Sequence, residues 1–266
     1  EDIIKQKDLI VKNLDLKKNS VLNQDLEPIL ETSLNYLDPI KGGYKGAPKF
    51  PTFNLHETLL YFYNKTSDKK YLDPVSLLMK QICSKGIYDH VEGGISRYTV
   101  DEDWIIPHFE KMLYDNAQLV SLYSQAYQIT KKPLYKEVVK ETLEFIKREM
   151  TNAEGAFYSS LDADSLTEEG ELEEGAYYVF NKADLQLILE EDFSLFSEYY
   201  NINSYGIWEK GNYVLIRRKN DNSIKDEFSI SQSVLEQKKK SWKNKLRAFR
   251  NNRSKPRLDD KTLTSW

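Results

Sequence analysis

Cysteine is nearly absent: Cys83 is the only one in 266 residues. A single thiol excludes an internal disulfide, a cysteine-based zinc site and a CxxC redox pair. Its neighbours Leu77, Leu78 and Ile82 predict a buried small hydrophobe. Histidine is scarce too, and His56, His90 and His108 show no close metal-ligand spacing, so neither a metal nor a cofactor is expected. No apolar run approaches the roughly twenty residues of a membrane span, and no signal-peptide pattern is present. The expectation is a cytoplasmic chain with no membrane association. Charge of one sign is not in excess either, since the net charge of −4 is too modest to imply a partner. The charges are unevenly spread: Glu154–Glu174 carries eight acidic residues and no basic one, and Arg217–Arg257 carries fourteen basic and four acidic residues. The basic run lacks aromatic interleaving and a reader fold, so both stretches read as solvated surface and no nucleic-acid partner is expected.

What is present is mostly helical periodicity. Apolar residues recur at Leu26, Ile29, Leu30, Leu34 and Leu37, the spacing of one helix face, until Pro39 forbids continuation. Lys41–Pro51 holds three glycines and two prolines and must be a shaped loop. It lacks the GK[ST] ending of a phosphate loop, and its prolines remove the donors such a cradle uses. A helix follows from Asn54 to Tyr63, with Asn54 as its N-cap, and a third runs from near Tyr71 toward Gly86. Phe109–Ile129 is apolar on nearly every side and predicts a helix buried on more than one face. Pro133 opens a helix with Val138, Val139, Leu143, Ile146 and Met150 on one side and charge on the other. Inner and outer helices therefore alternate. Ala156–Ser159 and Ala176–Phe180 read as short strands flanking an acidic loop. Helices return at Lys182–Glu190 and Phe193–Tyr200, and Trp208–Arg218 reads as a strand or hairpin around Gly211-Asn212. Ser231–Asn251 reads as a charged, basic helix.

The stretch the chain is organised around is Gly86–Asn116, GIYDHVEGGISRYTVDEDWIIPHFEKMLYDN. Its first half is too rich in glycine, β-branched and turn residues to be one helix. From His108 onward it reads as an amphipathic helix that places His108 and Asp115 about two turns apart on one face, with Glu110 pointing away. Asp89, His90, Arg97, Asp101, Asp103 and Trp104 lie on the loop before it. A histidine with carboxylates and an arginine on convergent loops suits general acid–base chemistry on a sugar or polyol, with Tyr98 and Trp104 as an apolar platform for a ring. Equally, His108 and Arg97 could satisfy buried carbonyls and pin the loop. Asp162-Ala163-Asp164-Ser165 looks at first like a cation loop, but the spacing to Gly170 fails the EF-hand pattern. It reads better as a paired-carboxylate loop dipping into a pocket, or as solvent-exposed acid.

APKFP, then YDHVEGGISRYTVDEDWIIPHFEKMLYDNAQL, then GAFYSSLDADS with EEG and YYVF, then DDKTLTSW together resemble the spermatogenesis-associated protein 20 family, over roughly Gly42 to Trp266. The resemblance implies a mostly α fold, an (α/α)6 toroid of the six-hairpin glycosidase type, incomplete here and with short β-hairpins in its loops. It also implies a thioredoxin-like domain elsewhere in a longer chain. Residues 1–20 are then an edge or linker segment after that domain, and 21–266 the N-terminal part of the toroid. The motif positions are Lys49, Asp89, His90, Gly93, Gly94, Arg97, Tyr98, Trp104, His108, Glu110, Lys111, Tyr114, Asp115, Asn116, Asp162, Asp164, Asp259 and Asp260. Members often read GGFHRY where this chain has Ile95-Ser96 after the glycines, so Ser96 is not expected to be catalytic.

Two functions are carried forward. The first is a carbohydrate-active domain, a sugar epimerase, isomerase or glycosidase-like enzyme. His108 would be its acid or base, with Asp115 and Asp162 as carboxylate partners. Asp89, His90, Arg97, Tyr98, Trp104, Asn116 and Asp164 would contact a sugar or small polyol. The second is a non-catalytic binding or scaffold domain working with the thioredoxin-like domain of the same longer chain.

Overall fold

A computed structural model describes residues 26–264. The expected linker over residues 1–20 and the closing Ser265-Trp266 lie outside the described residues. The chain divides into two compact units, Glu1–Leu37 and Asp38–Trp266. The first contains α1 (Glu27–Tyr36), which starts with Pro28 in its first turn, where a missing N–H does no harm.

The second unit begins with helical hairpins. Helix α2 (Phe53–Thr66) packs against α3 (Lys69–Ile82) and also against α4 (Leu113–Thr130), which packs in turn against α5 (Pro133–Glu149). The turns between them are written locally. Ser67 and Lys131 take the left-handed conformation at the ends of α2 and α4, the Asp68 side chain accepts the Lys70 N–H at the start of α3, and Pro133 opens α5. Helix α5 buries Tyr135, Val138, Thr142, Phe145 and Ile146 and turns Lys136, Lys140, Glu144 and Lys147 outward; of the apolar face expected from sequence, Val138, Ile146 and Met150 are buried, Val139 is half-buried and Leu143 is exposed. Across the layers, the Tyr123 hydroxyl of α4 donates to the Met79 carbonyl of α3 at 2.6 Å.

The rest of the unit packs α6 (Lys182–Leu189), α7 (Phe193–Tyr200), α8 (Asp221–Phe228) and α9 (Gln232–Arg250) around Phe196, Tyr199, Leu235, Trp242 and Leu246. Asn181, Asn220 and Ser231 cap α6, α8 and α9 through their side chains. The expected mostly α class with short β-ladders in the loops is what the described residues form. Strands β1 (Tyr98–Thr99) and β2 (Pro107–His108) pair antiparallel, and β3 (Lys111–Met112) pairs with β4 (Ser160–Leu161), which pairs with β9 (Leu258–Asp259). The acidic loop is a hairpin of β5 (Asp164–Leu166) and β6 (Leu172–Glu174), and β7 (Phe180–Asn181) pairs with β8 (Asn212–Tyr213).

Several local expectations change. Helix α2 begins at Phe53 behind Thr52, not behind an Asn54 cap, and residues 176–178 form a turn, so that only Phe180 of the strand expected there joins a ladder. The inner helix starts at Leu113, not at His108, because Pro107–His108 and Lys111–Met112 spend their backbone groups on strand partners and the Leu113 N–H bonds the Ser159 carbonyl. His108 and Asp115 therefore do not share a helix face. Around Gly211-Asn212 the chain does turn back on itself, with Ile207 bridging Tyr213 antiparallel and the Trp208 N–H on the Asn212 carbonyl at 2.7 Å, but the ladder of Asn212–Tyr213 is made with Phe180–Asn181, some thirty residues earlier. Asp221–Phe228, within the basic run, is a helix that its short apolar pattern did not announce.

Charged groups lie at the centre of this unit. Asp89 accepts Lys111 Nζ at 2.8 Å and Arg250 at 2.9 Å, and Arg250 also meets Glu92 at 3.1 Å and the Tyr178 carbonyl at 2.8 Å. All four side chains are buried. Burial alone would raise the Asp89 carboxyl, but Arg250 and Lys111 hold it far below the usual carboxylate range. Burial likewise opposes the charge on Arg250, and Asp89 and Glu92 more than offset it. Removing one member of a buried network strands the others. Arg250→Met is expected to lower the free energy of unfolding by roughly 3–5 kcal/mol, measured by urea denaturation. A midpoint unchanged from wild type would show that the network contributes nothing net.

Candidate functional site

The β1–β2 ladder sets Tyr98 directly opposite His108, and the two rings stack with centroids 4.9 Å apart and planes 22° apart. His108 Nδ1 lies 2.7 Å from Glu174 Oε1, and the same oxygen accepts the Phe109 N–H at 3.3 Å. A carboxylate only accepts, so Nδ1 carries the proton and Nε2 of a neutral ring is left as an acceptor. Glu174 comes from β6, where the hairpin register places it opposite Asp164. His108 and Glu174 are 29% and 42% exposed at the side chain, so the dyad can be reached from solvent. Glu174 also lines a cleft of about 770 Å³ with Glu173, Asp184, Trp208, Asn212 and Arg253.

A second cluster adjoins it through the peptide that joins Arg97 to Tyr98. The Arg97 N–H donates to the Glu110 carbonyl at 2.9 Å, and its guanidinium reaches the Glu110 carboxylate at 3.2 Å. Asp115 stands beside them in the first turn of α4. Its Oδ2 is buried, and no hydrogen-bond donor among the described residues reaches it. Burial pushes the Asp115 carboxyl up to about 7; Arg97 opposes that rise and the Glu110 charge adds to it. A carboxyl poised there can exchange a proton at neutral pH.

The other expected site residues lie elsewhere. Asp89 belongs to the buried network. His90 is buried between Tyr88 and Tyr200, its Nε2 donates to the Lys85 carbonyl at 3.1 Å, and burial pushes its pKa down to about 3. The Asn116 amide donates to the Ile95 and Met112 carbonyls and accepts the Ile95 N–H, which pins the Gly93-Gly94 turn to α4. Gly94 has φ +78, and a Cβ there would come within 2.7 Å of the Phe145 ring and 2.9 Å of Asn116 Oδ1, so only glycine fits. Trp104 is wholly buried, with its indole N–H on the Lys41 carbonyl at 2.7 Å. Asp162 Oδ1 accepts the Ala163 N–H, and its Oδ2 lies 4.0 Å from Arg257.

The structure thus joins His108, Tyr98 and Glu174, and separately Arg97, Glu110 and Asp115. It brings Asp89, His90, Trp104, Asn116 and Asp162 to neither cluster. Glu174 went unnoticed in the sequence, since it sits 66 residues from His108 in a stretch read as solvated acid. Glu110, expected to point away, is the carboxylate that holds Arg97. No local signal could have exposed either pairing. Among the described residues no three His, Cys, Asp or Glu side chains stand close enough to hold a metal ion.

Sequence comparison shows the resemblance to the spermatogenesis-associated protein 20 family. The human protein of that name is 35% identical over 249 residues, 85% of this chain and 32% of its own length. The mouse protein is 34% identical over the same shares, and an uncharacterized protein of Caenorhabditis elegans is 30% identical over 85% of this chain and 34% of its own. The chain spans about a third of the length of the curated relatives it matches. No family model matches. Among solved structures, cellobiose 2-epimerase from Bacillus thermoamylovorans has 17% identity and a TM-score of 0.46, covering 70% of this chain and 56% of its own. A sugar epimerase from a ruminal bacterium has 14% identity and a TM-score of 0.44 over 90% and 75%. A family 76 α-mannanase of Bacteroides thetaiotaomicron has 14% identity and a TM-score of 0.42 over 84% and 61%. Likenesses of this size carry no argument about chemistry. No helix among the described residues is long and apolar enough to cross a membrane.

Asp115 makes a pH prediction. Its folded pKa of about 7 lies above its ordinary 3.8, so the folded state holds a proton that the unfolded chain has released. That contribution to stability is complete below pH 3.8 and is lost as pH rises through 7. Asp115→Asn should remove this loss, so the variant gains on the wild type between those values. Parallel urea denaturation across the range tests it, and a constant difference would contradict the assignment.

Proposed function

From the resemblance to the spermatogenesis-associated protein 20 family, we propose that this chain supplies the acid–base and ring-binding residues of a carbohydrate-active site. The reaction would be sugar epimerisation, isomerisation or glycosidase-like hydrolysis, at the rim of a toroid completed by a longer chain. The observation that carries this reading is the His108–Glu174 dyad stacked on Tyr98. Glu174 fixes the tautomer and orientation of the imidazole, so Nε2 can take a proton from a substrate hydroxyl or carbon acid and return it. Asp115 is the second proton-exchanging group, poised near neutrality by burial. Arg97, held by Glu110, is placed to bind a hydroxyl or ring oxygen.

The burial of His90, Lys111, Asn116 and Trp104 and of the Asp89 side chain favours a second reading. Much of the motif would then be architecture, and the chain a binding or scaffold domain that presents a ligand to the thioredoxin-like domain. That reading predicts binding without turnover.

The test is a thermal-shift screen with mono- and disaccharides, followed by turnover assays on any sugar that stabilises the protein. His108→Ala is expected to lower turnover on the order of a hundredfold or more, and Glu174→Gln to lower it by less while leaving binding largely intact. Turnover indifferent to both substitutions would exclude the dyad as the proton-transfer group.

A further inference from the structure

Phe50 stands in the APKFP loop, which the acid–base reading leaves unused. Its neighbours are buried: Lys49 is 2% exposed, Phe53 is 2% exposed and Pro51 is buried, yet Phe50 keeps 42% of its surface exposed. The loop does not leave it exposed for want of order. Lys49 Nζ is fully buried and donates to the carbonyls of Gly42 and Tyr44, both at 2.8 Å, and to Asp38 at 3.3 Å. The Lys49 backbone pairs with Thr99 in both directions, at 2.9 and 3.0 Å. Strand alternation then turns Lys49 into the protein and Phe50 out of it.

The same pairing lays Phe50 against the dyad's platform. Its ring centroid lies 4.7 Å from that of Tyr98, with planes 32° apart, and Tyr98 in turn stacks on His108. Three rings therefore form one pile that ends at the imidazole, and Phe50 is its outer member. A half-exposed aromatic ring held rigid at the end of such a pile presents an apolar, electron-rich surface at little ordering cost. The C–H face of a pyranose ring suits that surface, and two ring contacts separate Phe50 from His108.

We propose that Phe50 is a specificity-determining residue that stacks a second sugar unit, so that the site takes disaccharides or longer glycans in preference to monosaccharides. The inference rests on the acid–base reading of His108. Phe50 touches substrate outside the bond-making centre, and its contribution is to binding.

The test is calorimetric titration of the chain with cellobiose, maltose and α-1,6-mannobiose, and with glucose and mannose. Wild type is expected to bind at least one disaccharide more tightly than its monosaccharide. Phe50→Ala should weaken that disaccharide on the order of tenfold and leave the monosaccharide unchanged, and Phe50→Trp should restore the preference. His108→Ala should weaken both classes. If His108→Ala weakens binding and Phe50→Ala does not, the stacking role fails and the acid–base reading stands. Equal losses in Phe50→Ala and Phe50→Trp would assign Phe50 a structural role and overturn the proposal. Binding of none of these sugars by wild type would overturn both.

Discussion

The central loop that leads to Arg97 and Tyr98 is fixed by a buried ion network. Arg250, at the end of α9, reaches Asp89 and Glu92 across more than 150 residues of sequence, and Lys111 closes the network from β3. Four desolvated charges would be ruinous singly. Together they are tolerated because each carboxylate faces a cation, and Asp89 also accepts the backbone N–H groups of Val91 and Glu92. That geometry fixes the loop at Asp89. From there the Gly93-Gly94 turn is pinned by Asn116, and the chain emerges at Arg97 and Tyr98 with its register set. Lys111, three residues beyond His108 and paired with Leu161 in a separate ladder, ties the chain leaving the His108 strand to the same charges.

The sequence revealed the helices and concealed the ladders, for one physical reason. Helix bonds are local, so the recurrence of Val138, Ile146 and Met150 states the helix and most of its buried face, although Leu143 of the same pattern is exposed. Two-residue strands carry no such period. Nothing near His108 tells that its partners are Tyr98 and Glu174, and a helix through Phe109, Met112 and Leu113 satisfied the same apolar spacing. Charge misled for a related reason. Sequence shows that a residue is charged but not whether it is buried, so the basic run from Arg217 read as solvated surface. Lys240 and Lys245 do face outward, but Arg250 is 2% exposed and Arg253 donates to the Ala176, Tyr177 and Val179 carbonyls. Motif resemblance located the important loop and could not separate its structural residues from its chemical ones.

Burial makes that separation, and it narrows the chemistry. A proton-transfer group must meet substrate and must be able to change charge. His56 and His90 fail on both counts, because they are enclosed and burial lowers their pKa values to about 4 and about 3. Asp89 and Lys111 are paired with each other out of reach of solvent, and Asp89 holds its charge far below neutral pH. What remains on the half-exposed face of the central loop is His108, with one ring nitrogen committed to Glu174, and Asp115, with one oxygen committed to nothing described. The two sit on either side of the Arg97-Tyr98 peptide, one against an aromatic pile and one against an arginine–carboxylate pair. Two groups of unlike environment beside an aromatic ring are the arrangement that the proposed reaction on a polyhydroxylated ring would use. The locked charges behind them supply the rigidity that a short ladder such as Tyr98–Thr99 with Pro107–His108 does not have by itself.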